Sequence, residues 1–113
     1  MDQYLTWSPA EKKAARKAFE AALGREFDVV IRKTKQRAAR IKGPEDLWDL
    51  EAFLTDSRKR IDRDYDYRYS ALPQVFANLI FNGRLKEEEL GNLRQDKLEL
   101  IGRLLRFARR PSD

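Results

Sequence analysis

The sequence contains no cysteine and no histidine. Without these two residue types there is no disulfide, no thiolate nucleophile, no histidine general base and no zinc site built from the usual ligands. Most of the chemistry available to a small enzyme is therefore excluded. We expect a protein that is not an enzyme and that has no catalytic residue, no cofactor and no metal.

Long hydrophobic runs are also missing. No stretch approaches the roughly 20 apolar residues needed to span a bilayer, and the start, Met1 to Tyr4, lacks the pattern of a signal peptide. We expect a cytoplasmic protein without membrane insertion. Only 5 glycines and 4 prolines occur in 113 residues, which favours long helices over many short strands. The predicted fold class is all-α.

Charge is abundant but unevenly distributed. Lysine and arginine number 24 against 19 acidic residues, a net charge of +5. Residues 1–43 carry a net +6, residues 44–82 a net −3 and residues 83–113 a net +2. The basic residues of the first segment could neutralise phosphates. Because they spread around the predicted helix and no recognition module is present, nucleic-acid binding by a small basic dimer stays only an alternative.

The first helix has a clear start and a long apolar stripe. Ser8, Pro9 and Glu11 form the pattern of a capping box with proline at the first helical position. Apolar residues then recur mostly three or four positions apart until Gly43-Pro44 ends the helix: Ala15, Phe19, Leu23, Phe27, Ile31, Ala38 and Ile41.

Such a helix would be about 50 Å long at 1.5 Å per residue. A compact domain of this size has a radius of gyration of only about 13 Å. Part of the apolar stripe should therefore project beyond the core of its own chain. We expect a second copy to cover it, which makes the predicted assembly a homodimer.

Three further helices follow. The second begins at Pro44 and runs to about Asp64, and the third ends at Asn82-Gly83. A short piece precedes a fourth helix that Asp96 is expected to cap and that Arg109-Arg110-Pro111 ends. We interpret the chain as one domain over residues 1–113, with an N-terminal tail (1–8), a long-helix dimerisation body (9–64), a helical head (65–110) and a C-terminal tail (111–113).

Trp48 and Arg58 are the most informative pair in the second helix. An indole and a guanidinium about three turns apart can form the kind of surface that is enriched at protein interfaces. The spacing alone instead favours a structural interpretation, in which Trp48 packs in the core beside Leu47 and Arg58 binds local carboxylates.

The order of residues carries more information than the composition. Trp7-Ser8 precedes the capping box, and a long ungapped block from Asp46 to Ala77 contains Trp48, Arg58 and the segment from Tyr65 to Ser70. Together with Gly83, Glu89-Leu90, Leu93 and Asp96-Lys97, this pattern resembles the fluorescence recovery protein family over nearly the whole chain.

The resemblance implies an all-helical, cofactor-free homodimer with an elongated helical body and a small head. It implies binding to the photoactivated orange carotenoid protein, mainly through that partner's C-terminal domain. The expected result is a faster return of the partner from its red to its orange state, which ends quenching at the phycobilisome. The expected location is the cytoplasm, peripheral to thylakoid-associated phycobilisomes.

The resemblance also assigns residues to roles. It places Trp48 and Arg58 in a partner-binding patch and Ile31, Ile41 and Leu47 in the dimer seam, to which the apolar stripe adds Phe27 and Ala38. The sequence departs from the family at four positions: Glu51 and Ala52 replace a His and an Asp of the patch, and Gln74 and Leu100 replace an aromatic residue and a Lys of the head. We include Glu51 and Gln74 in the predicted patch, and the departures leave a different protein client as an alternative.

Overall fold

The computed structural model describes residues 5–111, and within this range all regular structure is helical. Four α-helices and one short 3-10 helix follow one another: α1 (Pro9–Ala39), α2 (Pro44–Asp64), α3 (Leu72–Phe81), the 3-10 helix (Glu87–Leu90) and α4 (Gln95–Ala108). The predicted all-α class is confirmed. One boundary differs, because α1 ends at Ala39 and residues 40–43 form the turn into α2.

The predicted capping box at the start of α1 is present. The backbone N–H of Glu11 donates to Ser8 Oγ at 3.2 Å, and the N–H of Ser8 donates to Glu11 Oε1 at 3.0 Å. Pro9 occupies the first turn, where its missing N–H costs nothing. The local sequence therefore fixes the beginning of the longest helix.

α1 and α2 form an antiparallel hairpin. The Arg37 guanidinium lies 4.3 Å from the centroid of the Phe53 ring near the turn, and the Arg60 guanidinium donates to Glu26 Oε2 at 3.1 Å further along. Contacts thus pair residues late in α1 with residues early in α2, as an antiparallel arrangement requires. We call α2 and residues 23–39 of α1 the hairpin.

The head consists of α3, the 3-10 helix and α4, packed on the N-terminal part of α1. Gly83 ends α3 in the left-handed region with φ of 78°, a conformation that glycine adopts without steric cost. The buried apolar residues form one cluster: Trp7, Ala15, Ala18, Phe19, Ala22, Leu72, Val75, Phe76, Ala77, Leu79, Ile80, Leu85, Leu90, Leu93, Ile101 and Leu105.

The predicted cap of α4 is wrong. α4 begins at Gln95, so Arg94 is its N-cap residue and makes no side-chain capping bond. Asp96 lies in the first turn, where its carboxylate accepts from the N–H of Lys97 at 2.9 Å. A carboxylate in this position still complements the positive end of the helix dipole.

An extended segment joins α2 to the head through three tyrosines at alternate positions. Tyr65 and Tyr67 pack edge-on against Phe19, with ring centroids 5.6 and 4.8 Å away, and Tyr69 packs on Trp7 at 5.4 Å. Their alternation resembles a strand, but the segment packs against a helix and pairs with no neighbouring strand within residues 5–111. The segment is therefore a helix-to-helix junction and not a strand.

A buried ion pair ties α4 to the start of α1. Lys97 Nζ lies 3.2 Å from Glu11 Oε1 and also donates to the carbonyl of Thr6. The N–H of Arg94 donates to Glu11 Oε2 at 2.9 Å. Burial by itself raises the pKa of Glu11, but the N–H groups of Arg94 and Ser8 together with the Lys97 ammonium outweigh it and lower that pKa to about 2.

The molecule is elongated, since the apolar core ends well before the hairpin does. The radius of gyration is 17.1 Å and the extents are 57 × 38 × 23 Å, against about 13 Å for a compact chain of this length. Along α1 the last fully buried core residue is Ala22. Beyond Ala22, Arg25 and Glu26 still contact the segment 84–89 of the head, and the later turns of α1 lie against α2.

We predict that Glu11→Gln lowers the free energy of unfolding by about 3 kcal/mol at pH 7, because it leaves the buried Lys97 ammonium with only the half-exposed Asp96 carboxylate, 3.4 Å away, as a counter-charge. Urea unfolding at equal protein concentration measures this change. Glu20→Gln removes the same charge from an exposed position of α1 and should change the free energy of unfolding by less than about 0.5 kcal/mol.

The same variant has a defined pH dependence. The pKa of Glu11 in the fold, about 2, is below its ordinary value of 4.5. The stability that this carboxylate contributes is therefore fully present above pH 4.5 and is lost as the pH falls towards 2. The difference between wild type and Glu11→Gln should shrink in this window, and a difference that stays constant would contradict the assignment.

Candidate partner-binding surface

Besides Trp48, four large apolar side chains of the hairpin are exposed. Phe27 and Ile31 of α1 and Leu47 and Leu54 of α2 each leave between 42 and 51% of their surface accessible. Together they form what we call the apolar face. Contiguous exposed apolar surface on a soluble chain commonly marks an interaction site.

Helical periodicity places the four side chains on the same side of the hairpin. Glu26 and Arg37 mark the side of α1 that faces α2. Viewed from the N-terminus of α1, Phe27 and Ile31 lie about a quarter turn clockwise from that side. Viewed from the N-terminus of α2, Leu47 and Leu54 also lie clockwise from the residues of α2 that face α1. Because the helices are antiparallel, these two displacements converge on one side.

The other predicted seam residues border this face. Ala38 follows Ile31 by seven positions and is exposed, and Ile41 is half-buried in the turn. Four of the five residues predicted for the dimer seam, Phe27, Ile31, Ala38 and Leu47, thus belong to the hairpin and the fifth, Ile41, to its turn, and none is a fully buried core residue. Their role in dimerisation stays a prediction.

Trp48 is accessible, with 60% of its surface exposed. The alternative in which Trp48 packs in the core is therefore wrong. The physical reason is its position on α2: the residues that face α1 include Ser57 and Ile61, which are buried, and by helical periodicity Trp48 lies nearly opposite to them.

Glu51 and Arg58 are exposed on the edge of the apolar face. Leu47, Glu51, Leu54 and Arg58 follow one another at spacings of four, three and four, so they form a single stripe along α2. Arg58 makes no ion pair within residues 5–111, so the alternative in which it binds local carboxylates is also wrong. The stripe offers both apolar contact and a free guanidinium.

The predicted residues of the head are on a different part of the molecule. Gln74 is exposed on α3, where its amide nitrogen donates to Asn78 Oδ1 at 3.0 Å. Leu100 is half-buried on α4. The structure therefore brings Trp48, Glu51 and Arg58 together on the hairpin, and it holds Gln74 separately on the head.

The opposite side of the hairpin is polar. A recess of about 420 Å³ is lined there mostly by charged residues, among them Glu26, Lys33, Arg60 and Arg84. Glu26 is 7% exposed and accepts from three donors: Arg60 and Arg84, each at 3.1 Å, and the Tyr65 hydroxyl, also at 3.1 Å.

Burial and the neighbouring Glu26 carboxylate raise the pKa of Tyr65 well above its ordinary value of 10, so its hydroxyl remains a donor in more alkaline solution than an ordinary tyrosine would. Sequence reasoning missed Glu26. A signal was available, because Glu26 continues the spacing of four set by the buried residues Ala18 and Ala22.

No group of three or more acidic, cysteine or histidine side chains between Leu5 and Pro111 is arranged to hold a metal ion. In the same part of the chain, no helix combines the length and the apolar character needed to cross a bilayer.

An all-helical protein with an exposed apolar face, flanked by an accessible tryptophan and by an arginine without an ion pair in residues 5–111, has the surface typical of a protein that binds other proteins. Comparisons with known proteins give its family. The family model described as "photoprotection regulator fluorescence recovery protein" matches residues 7–104. The fluorescence recovery protein of Synechocystis is 39% identical over 101 residues, which cover 89% of this chain and 93% of that protein.

Solved structures agree in fold as well. The fluorescence recovery protein of Fremyella diplosiphon superposes with a TM-score of 0.85 at 44% identity, and the Synechocystis structure gives a TM-score of 0.85 at 39% identity. Each match covers 89% of this chain and 99% of the other. The chain belongs to the fluorescence recovery protein family of photoprotection regulators.

The two tryptophans test this description of the surface. Trp7 is 8% exposed and Trp48 is 60% exposed, so the emission of Trp7→Phe, which retains Trp48, should be red-shifted and strongly quenched by acrylamide. Trp48→Phe should show blue-shifted emission with weak quenching. Equal shielding of the two indoles would contradict the exposed position of Trp48.

Proposed function

We propose that this protein binds the photoactivated orange carotenoid protein and accelerates its return from the red to the orange state, which ends phycobilisome quenching. The observation that carries the proposal is the exposed stripe of α2, with Trp48 and Arg58 beside the apolar face. Membership of the photoprotection regulator family supports it. The proposed location is the cytoplasm beside the phycobilisomes.

The active form that we propose is a homodimer. Phe27 and Ile31 leave about half of their surface exposed in the single chain, and large apolar side chains in water forfeit about 25 cal/mol for each Å² that burial would remove. A second copy offers the same apolar face, so a two-fold axis can bury both at once in an isologous interface. The proposed seam consists of Phe27, Ile31, Ala38, Ile41 and Leu47.

The client-binding patch is proposed to lie beside this seam. Trp48 points nearly opposite to the α1-facing side of α2, so the dimer leaves it accessible, and Glu51 and Arg58 border the seam. Tryptophan and arginine are the residues most enriched among energetic hot spots. Gln74 on the head is proposed as a second contact, and the C-terminal domain of the client as the principal target.

The mechanism requires no covalent chemistry. A protein accelerates a conformational change when it binds the transition state, or states on the path to it, more tightly than the starting state. Preferential binding of a closing client would lower the barrier from red to orange in this way. The regulator itself is unchanged at the end of the cycle and can act again.

The recovery assay tests this proposal. Purified orange carotenoid protein is photoactivated, and the decay of its red absorbance is followed in darkness with and without the regulator. Wild type should accelerate the decay, and Arg58→Glu should bind the client about 30-fold more weakly, the loss typical of a hot-spot residue. Lys13→Glu makes the same charge change at an exposed site of α1 remote from the patch and should behave as wild type.

An unchanged decay at excess wild-type protein would overturn the choice of client. The second candidate would then apply, a related regulator of a different protein. It is favoured by the residues that occupy the patch and head in place of the family's usual ones: Glu51, Ala52, Gln74 and Leu100.

Leu47→Glu tests the dimer. It would place an unpaired carboxylate in the proposed seam, and the desolvation cost should raise the dimer dissociation constant by at least about 100-fold. Size-exclusion chromatography with light scattering at micromolar concentration should then show monomers. Ala52→Glu adds the same charge to α2 away from the apolar face and should leave the dimer intact, whereas a dimeric Leu47→Glu would place the seam elsewhere.

A further inference from the structure

Glu26 lies where α1, α2 and the head meet. It belongs to α1, and its nearly buried carboxylate binds Arg60 of α2 at 3.1 Å through Oε2 and Arg84, which follows α3, at 3.1 Å through Oε1. One side chain therefore links α2 to the head. The two arginines are 34 and 58 residues away from it in the sequence.

The head side of this junction is itself firmly held. The Arg25 guanidinium binds both carboxylate oxygens of Glu89, at 2.9 and 2.7 Å, and donates to the carbonyl of Arg84 at 2.9 Å. Bidentate pairs of this kind fix orientation as well as distance. Two adjacent residues of α1, one basic and one acidic, thus bind the segment 84–89 of the head with opposite charges.

The hydrophobic core does not provide the same link to α2. The core cluster contains residues of α1, α3, α4 and the connecting segments, but no member from residues 44–64. The orientation of α2 relative to the head consequently depends on its packing against α1, on the tyrosine segment 65–69 that follows it, and on the charged contacts of Glu26. The separation between the patch on α2 and Gln74 on the head depends on the same contacts.

We infer that Glu26 is a positioning residue: by binding Arg60 and Arg84 at once, it holds the client-binding patch of α2 and the surface of the head at a fixed separation, so that one client molecule can contact both. The inference rests on the proposed function. Once one contact with the client has formed, a rigid protein holds the second contact site at a high effective concentration, which raises the overall affinity. This gain in affinity is lost when the separation of the two sites no longer matches the client.

The variant Glu26→Gln tests this role, since it keeps the size of the side chain and removes the charge that pairs with both arginines. We expect its affinity for the photoactivated orange carotenoid protein to fall at least about tenfold, with the homodimer intact by light scattering. Glu20→Gln, an exposed charge removal on the same helix, is the matched control and should bind as wild type.

A second measurement separates positioning from simple destabilisation. The chain has no cysteine, so cysteines introduced at exposed Lys59 of α2 and exposed Glu99 of α4 can carry spin labels without a background. Samples are diluted with unlabelled protein to suppress distances between copies. The distance distribution between the labels should be narrow in wild type and in Glu20→Gln, and it should broaden or shift in Glu26→Gln while the helix content by circular dichroism is retained.

A Glu26→Gln distribution identical to wild type would overturn the inference, as would a broadened distribution with unchanged client affinity. If wild type itself does not accelerate recovery, the proposed function fails. The role of Glu26 in fixing α2 relative to the head is then tested by the label distances alone. A broader or shifted distribution in Glu26→Gln supports this role, and an unchanged distribution refutes it.

Discussion

The length of α1 relative to the core it can reach governs the whole structure. Burial of apolar residues on this helix ends at Ala22, yet the helix continues to Ala39 with Phe27 and Ile31 on its surface. α2 folds back along this extension, but it buries only one side of it. The apolar face that remains is created by the fold itself, and the proposed dimer and client-binding patch both depend on it.

Local signals explain why the helices were predictable. The capping box at Ser8, Pro44 at the start of α2 and Gly83 at the end of α3 each act within a few residues, so the sequence alone specifies them. The projecting stripe was predictable too, because it follows from helix length and domain size. The sequence predicts the end of α1 about four residues too late, since nothing between Ala39 and Gly43 is incompatible with a helix.

The site was less predictable, because it depends on which side of α2 packs against α1. The spacing of Trp48 beside Leu47 favoured a core position, whereas packing through Ser57 and Ile61 turns both residues outward. For a similar reason the sequence does not reveal the long-range partners of the two buried carboxylates. Glu11 finds Lys97 86 residues away and Glu26 finds Arg84 58 residues away, and such long-range partners leave no trace in local patterns.

Sedimentation equilibrium of the wild-type protein over a range of micromolar concentrations tests the central claim most directly. If the uncovered side of the hairpin requires a second copy, the mass should be twice that of the 13.3 kDa chain at the upper concentrations and should fall towards one chain only on dilution. A mass of one chain at every concentration would show that a single molecule tolerates its exposed apolar face, and the account would fail.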